Sequence, residues 1–379
     1  MTDPVYLDYN ATTPLDPRVF ETMKQWFSVP ANAGSRTHSY GQRAKDAVEK
    51  ARAQVACVLG VKPEEIYFTS GATESNNIAI LGLTQHGERT GRKHILSTAI
   101  EHKAVLEPLE EMARRGFNVE LLPVTSGGYS DPDLVKGRLR EDTLLVSVMH
   151  ANNETGVLQP VREISELLTD TPTLFHTDAA QTFGKELLEL KGLHCDLMSI
   201  SAHKIYGPQG AGALIVSRKQ YSRRPIASVL FGGGQERGLR PGTVPVPLVV
   251  GFGACAELAN KVHCTRAAKA KQLKEQLISG LQKVDHMING DQGRAQPHVI
   301  NVRLPGIDSE ALMMALRDEM AISNGSACTS ASYNPSHVLQ AMGLNEEEAG
   351  ESIRISWGDG LESLPVDALL SAIENLDSF

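Results

Sequence analysis

The 379-residue chain has only five cysteines, Cys57, Cys195, Cys255, Cys264 and Cys328, and none pairs with another as C-x-x-C. An odd, dispersed set makes neither a disulfide framework nor a zinc site. No apolar run approaches the roughly 20 residues that span a bilayer. The opening MTDPVYLDYNATTP lacks the basic stretch and apolar core of a secretory signal, so a cytoplasmic location is expected. Basic charge is also scarce. Lys and Arg number 37 against 45 Asp and Glu, a formal net charge of -8, which leaves no footprint for direct binding of nucleic acid. Common cofactor motifs are missing too. There is no G-x-x-x-x-G-K-[ST] and no H-E-x-x-H. Gly207-Pro-Gln-Gly-Ala-Gly has the wrong spacing for G-x-G-x-x-G, and Phe231-Gly-Gly-Gly-Gln-Glu-Arg-Gly matches no nucleotide fingerprint.

What remains is an ordinary globular composition, 41% hydrophobic and 22% charged, long enough for one large core and a smaller companion. From residue 44 the pattern alternates. Ala47, Val48, Ala51, Val55 and Leu59 mark one face of a helix stopped by Gly60. Short apolar runs follow at 66–69, 94–98, 119–124, 144–149, 174–177, 197–201 and 213–216, with helical patterns such as 104–115 and 161–168 between them. Strands alternating with helices predict an α/β fold whose mostly parallel sheet is covered on both faces. Beyond residue 256 the order becomes helix 266–284, strand 299–304, helix 309–319, a loop around Cys328, strand 353–356 and a last helix. The expected division is a large domain of residues 15–255 and a smaller α+β domain of residues 1–14 and 256–379.

Four features suggest chemistry. Lys204, in Ser201-Ala-His-Lys204, directly follows a buried strand, where open α/β sheets place ligands; alone it could be an exposed loop lysine. Asp178 ends another strand and could hold a pyridine nitrogen protonated, or simply cap a helix. Ser70-Gly-Ala-Thr-Glu-Ser75 turns from strand to helix, as a phosphate cradle does and as a capping box does. Arg354 lies in an apolar strand, where a substrate carboxylate or a structural ion pair could satisfy its fork. Together they suit pyridoxal phosphate. Cys328 stands apart from the other four cysteines, whose helical or apolar settings suggest small buried hydrophobes. Its neighbours, Asn324-Gly-Ser-Ala-Cys-Thr-Ser-Ala-Ser332, are small and polar, as around an exposed, mobile thiol.

Seven motifs in order carry a resemblance across nearly the whole chain: residues 70–75, Glu101-His-Lys-Ala-Val105, His150-Ala-Asn-Asn-Glu-Thr-Gly156, Thr177-Asp-Ala-Ala-Gln181, residues 201–204, Arg240-Pro-Gly-Thr243 and Gly325-Ser-Ala-Cys-Thr-Ser330, preceded by Tyr6-Leu-Asp-Tyr-Asn-Ala-Thr-Thr-Pro14. The chain resembles the class V aminotransferase-like, fold-type-I pyridoxal-phosphate enzymes, and within them the cysteine desulfurases. The resemblance implies that Lys204 holds the cofactor, Asp178 pairs with its pyridinium nitrogen and His102 stacks on its ring. Asn153 lies near the substrate carboxylate and ring substituents, and Gln181 reaches the ring hydroxyl. Ala72, Thr73, Ser201 and His203 hold the phosphate, with Thr243 arriving from the partner subunit of a homodimer. Arg354 binds the carboxylate of L-cysteine, and Cys328 takes the sulfur as a persulfide for an acceptor protein.

The pathway served is left between iron–sulfur clusters, thiolated tRNA and DNA phosphorothioation. A selenocysteine lyase or aminotransferase on the same fold is the alternative activity, although an aminotransferase has no use for the thiol. Three positions depart from the family pattern, Asn324 for serine, Ala33 for proline and the bulky Trp357. None touches a proposed catalytic atom. The chain ends at Phe379 without the longer tail of housekeeping relatives, so weak binding to a general iron–sulfur scaffold is expected.

Overall fold

A computed structural model describes residues 3–219, 222–325 and 335–377. Its main sheet has seven strands: β1 (Ile66–Thr69), β2 (His94–Thr98), β3 (Asn118–Leu122), β4 (Thr143–Ser147), β5 (Leu174–Asp178), β6 (Leu197–Ser201) and β7 (Gly212–Val216). Their spatial order is β1-β7-β6-β5-β4-β2-β3. Strand β7 runs antiparallel to both neighbours, and every other pair is parallel. Every residue of β2, β4, β5, β6 and β7 is buried, which is why these strands read as short continuous apolar runs rather than alternating ones. Edge strand β3 is partly exposed.

Helix α1 (Ser39–Leu59) begins five residues before its apolar stripe. The reason is an unusual cap: the His38 ring nitrogen Nδ1 accepts the Gly41 amide at 3.1 Å. It ends at left-handed Gly60, as expected. Helices α2 (Ala72–Leu81) and α3 (Lys103–Arg114) follow β1 and β2. Helix α4 (Val246–Leu281) is 36 residues long, and its first half was not legible. Residues 246–265 are apolar or small on nearly every side, so they show no helical stripe. That half packs Val249, Phe252 and Ala256 against Val48, Ala51 and Val55 of α1. The second half gives Leu273, Leu277 and Leu281 to a separate core with Ile300, Ile353 and Trp357. One helix is therefore rooted in both cores. Truncating Leu277 to alanine removes a buried side chain and costs about 2–5 kcal/mol.

The second core backs an antiparallel sheet of β8 (Met287–Ile288), β9 (Val299–Arg303) and β10 (Ser352–Ser356). Trp357 fills this core at 1% exposure and donates its indole N–H to the Ala270 carbonyl at 3.1 Å. Its extra bulk is structural. Near the N-terminus, Val5–Tyr6 pairs in parallel with Met320–Ala321, and Asp8 bridges to Ser356. The chain then crosses to the main sheet, delivering Asn10, Ala11 and Thr12 to its carboxyl edge.

The cysteines correct one expectation. Cys255 is buried and Cys195 partly so, but Cys57 and Cys264 are exposed. Both lie on helices off the packed stripe, so helical context alone did not imply burial.

Candidate active site

A cavity of about 650 Å³ opens where the carboxyl ends of β1, β2, β4, β5 and β6 converge, within the range of small-molecule sites. Each strand end presents one group. After β6, a single 3-10 turn (Ala202–Lys204) brings Lys204 to the cavity. Its Nζ donates to the carbonyls of Asn10 and, at 2.8 Å, Ala11. Asp178 ends β5, and both carboxylate oxygens are held before any ligand arrives. Asn76 Nδ2 donates to Oδ2 at 2.7 Å, and the Ala180 amide donates to Oδ1 at 2.9 Å. His102 caps α3 through Nδ1, which accepts the Ala104 amide at 3.0 Å. The neutral ring therefore carries its proton on Nε2. Burial pushes its pKa down; Asp178 opposes that shift and Lys204 reinforces it.

The turn from β1 to α2 has the build of an anion cradle. The first amides of α2, at Ala72 and Thr73, have no acceptor within the helix. Backbone approach is very close here: a Cβ on Gly212 would lie 2.6 Å from the Gly71 Cα. Beside it, the Ser201 hydroxyl is buried with no partner among the described residues. His203 also lines the cavity. Its Nδ1 lies 3.1 Å from the Thr12 hydroxyl. Burial, with Lys204 next, pushes its pKa down to about 4, so the ring is neutral.

The opposite wall comes from the smaller sheet. Arg354 on β10 is 4% exposed. It donates from Nη2 to Asp8 Oδ1 at 2.6 Å and from Nη1 to the Asn153 carbonyl at 3.0 Å. The structural ion pair considered from sequence thus exists, and Arg354 lines the cavity as well. Its Nε is buried without a partner among the described residues. Gln181 Nε2 donates to the Asn10 carbonyl at 2.9 Å, while Oε1 is buried and unpartnered among those residues. Thr243 is the exception among the candidates. It is exposed, outside this cavity, on the loop that Arg240 ties to Glu74 at 2.8 Å. Cys328 lies outside the described residues.

Sequence reasoning missed Asn10, Asn76 and Glu101. Asn10 stood inside a recognised motif, and Asn76 follows one directly. Asn76 lies one helical turn past the amides that open α2, a spacing that returns a side chain to the same face. Glu101 precedes His102 and is fully buried; Oε1 accepts the Thr98 hydroxyl at 2.7 Å and the Met149 amide at 2.8 Å. Burial pushes its carboxyl up to about 8.

An amine, a fixed carboxylate, a neutral imidazole, an anion cradle with an unpartnered hydroxyl and a cavity of this size fit pyridoxal phosphate. Comparison with known proteins agrees. The aminotransferase class-V family matches residues 5–368. The cysteine desulfurase IscS of Anaeromyxobacter sp. (strain K) is 46% identical over 361 residues, covering 94% of this chain and 88% of that one. The crystal structure of DndA from Streptomyces lividans superposes with a TM-score of 0.82 at 46% identity, covering 94% and 99% of the two chains. A NifS-like protein gives 0.91 at 38% identity, covering 99% and 100%. The chain belongs to the aminotransferase class-V family and, within it, to the cysteine desulfurases. It is a pyridoxal-phosphate-dependent enzyme.

Proposed function

We propose that this enzyme converts L-cysteine to L-alanine and passes the sulfur to Cys328 as a persulfide. The observation that carries the reading is the convergence of Lys204, Asp178 and His102 at one cavity whose far wall holds Arg354. Bound pyridoxal phosphate supplies an electron sink for the carbanion left at the substrate α-carbon. Lys204 would hold the cofactor, and its Nζ is placed to carry the α-proton. Asp178, fixed by Asn76, keeps the ring nitrogen protonated. His102 would lie against the ring and Gln181 would bond its hydroxyl, while the Ala72 and Thr73 amides with Ser201 and His203 would hold the phosphate. Arg354 binds the substrate carboxylate with Asn153 beside it.

The sulfur step then follows from thiol chemistry. Cys328 thiolate attacks the substrate sulfur; a sulfur–sulfur bond forms, the carbon–sulfur bond breaks, and its electron pair and a proton complete alanine. The sum is L-cysteine plus Cys328 thiol giving L-alanine plus Cys328 persulfide. A thiol reductant is needed only to release sulfide afterwards. Purified protein should yield alanine and, with such a reductant, equal sulfide. Cys328→Ser should keep bound cofactor and the spectral response to cysteine, yet form no persulfide. Normal sulfide release by that variant would end the reading.

Thr243 completes the phosphate site of a second copy, so the working unit is a homodimer. The sulfur goes to an acceptor protein; the likenesses to IscS and to DndA, both at 46% identity, support iron–sulfur clusters and DNA phosphorothioation alike as the route served. The location is cytoplasmic, which fractionation tests; among the described residues no helix is long and apolar enough to cross a membrane. Residues 15–255 form the cofactor domain and residues 1–14 with 256–379 the smaller one, the division falling inside α4. Hydrogen exchange that protects the two cores differently checks that division.

A further inference from the structure

The chain on either side of residues 326–334, the stretch containing Cys328, comes close to a single side chain just beyond β4 of the larger sheet. Glu154 sits in the turn of residues 150–159, which Asn152 stiffens by accepting the amides of Glu154 at 2.8 Å and Thr155 at 3.0 Å. Its carboxyl is buried, and Oε2 accepts the Ser336 hydroxyl at 2.5 Å. Ser336 also caps the helix α5 (His337–Ala341), accepting the Leu339 amide at 3.1 Å. On the other side, Gly325 has φ 84°, and a Cβ there would lie 2.8 Å from the same Oε2. Only glycine suits that position.

The neighbours of this contact tie it to the substrate end of the site. The Gly325 amide donates to Ser323 Oγ at 3.1 Å, and Ser323 bridges to Arg354 on β10. One residue before Glu154, the Asn153 carbonyl receives Arg354. After the Ser336 cap, the His337 ring reaches the Glu101 carbonyl at 2.9 Å, next to His102. A carboxyl buried without an ion-pair partner among the described residues is costly, and packing alone would be served by an apolar side chain.

We infer that Glu154 is a positioning residue for sulfur transfer: its carboxyl bonds Ser336 on one side of the Cys328 stretch, packs close to Gly325 on the other, and registers both against the Asn153–Arg354 pair. This rests on reading Cys328 as the sulfur acceptor. Fixing the described residues on either side of Cys328 restricts where the thiol can be delivered, which raises the effective concentration of the attacking group.

The test uses the holoenzyme and two readouts, the rate of the cysteine-induced change in cofactor absorbance and the single-turnover rate of persulfide labelling on Cys328. Glu154→Ala should leave the first within about twofold and slow the second by about tenfold or more. Ser336→Ala, which removes one stem contact and leaves the carboxyl in place, should slow labelling by a smaller factor. Glu154→Gln, which keeps an acceptor oxygen, should recover most of the rate. Equal losses in both readouts for Glu154→Ala and Ser336→Ala would reduce Glu154 to a fold-supporting role, and no loss in either would overturn the inference outright. Cys328→Ser, run alongside, separates the two claims: sulfide release by that variant would remove the acceptor reading, whatever Glu154 does.

Discussion

The two walls of the cavity are built differently. On the main-sheet wall each ionisable group beside the cavity has a structural partner in place, and the groups left open, the Ser201 hydroxyl and the first amides of α2, belong to the anion cradle. Asp178 is held by Asn76 and the Ala180 amide, His102 by the Ala104 amide, and His203 by Thr12. On the smaller-sheet wall the one cation, Arg354, shares itself between Asp8 and a carbonyl and still leaves Nε unpartnered among the described residues. A wall whose rotamers are fixed in advance suits a resident group, which needs the same geometry in every turnover. A wall with a spare donor suits a group that arrives and leaves. In the proposed reading, cofactor chemistry and substrate chemistry therefore separate by wall.

The largest effect should come from the fixed wall. Lys204→Ala should lower turnover by at least about a thousandfold, because in the proposed reading it removes both the cofactor's attachment and a proton carrier. Borohydride reduction of the parent enzyme followed by peptide mapping should label Lys204 alone; a label on another lysine would undo the comparison at its base. Mixing Lys204→Ala with Thr243→Ala chains sharpens the test. Hybrid dimers in which Thr243 serves the partner's site contain one intact site and should regain activity.

A smaller effect should come from the substrate wall, and it should differ in kind. Arg354→Ala should raise KM by roughly 30-fold or more, as expected when a buried charge pair loses one partner, while cofactor absorbance stays normal. The ion pair with Asp8 complicates the parent comparison, because Arg354→Ala also strands that carboxylate. Asp8→Asn controls for it. If Asp8→Asn alone reproduces the rise in KM, Arg354 is a structural cation and the walls do not divide as argued.

The fixed wall was also the more legible one. Asp178 and Lys204 stood out because each follows a short apolar run whose burial on both faces dictates a strand, and strand ends define the cavity. Arg354 stood out for the converse reason, a charge inside an apolar strand. What stayed hidden depended on contacts distant in sequence. The Asn10 and Ala11 carbonyls that take Lys204 lie more than 190 residues away, and Asp8 lies 346 residues from Arg354. The start of α1 was hidden because a histidine supplies the cap, and the first half of α4 because a helix apolar on all sides shows no stripe. Glu154 and Glu101 sat inside recognised motifs, but a carboxyl in a motif reads the same whether it is exposed or buried.

The smallest effect concerns stability rather than turnover, and it again sets one group of side chains against another. His150 and His176 are buried in the main-sheet half, and burial pushes each down to about 4. His176 is held neutral between the Ser147 and Ser199 hydroxyls at 2.8 and 3.1 Å. In the unfolded chain a histidine takes its proton near 6.5. Between about 6.5 and 4 the unfolded state therefore binds more protons than the folded one. The contribution of each ring is fully present above 6.5 and falls as pH drops, by up to roughly 3 kcal/mol per ring. Glu101 has the opposite sign. Its carboxyl is raised to about 8 by burial, so its contribution is present below the usual carboxylate range and is lost as pH rises toward 8. Thermal melting across pH 4–8 should show a steep acid limb and a shallower decline on the alkaline side. His176→Gln, which keeps hydrogen-bonding capacity without a titrating ring, should flatten the acid limb. Glu101→Gln should flatten the alkaline side and steepen the acid limb, because the loss it removes runs through both windows. An acid limb unchanged by His176→Gln, with an alkaline side unchanged by Glu101→Gln, would mean that neither buried group controls stability and that the preset wall owes its order to packing alone.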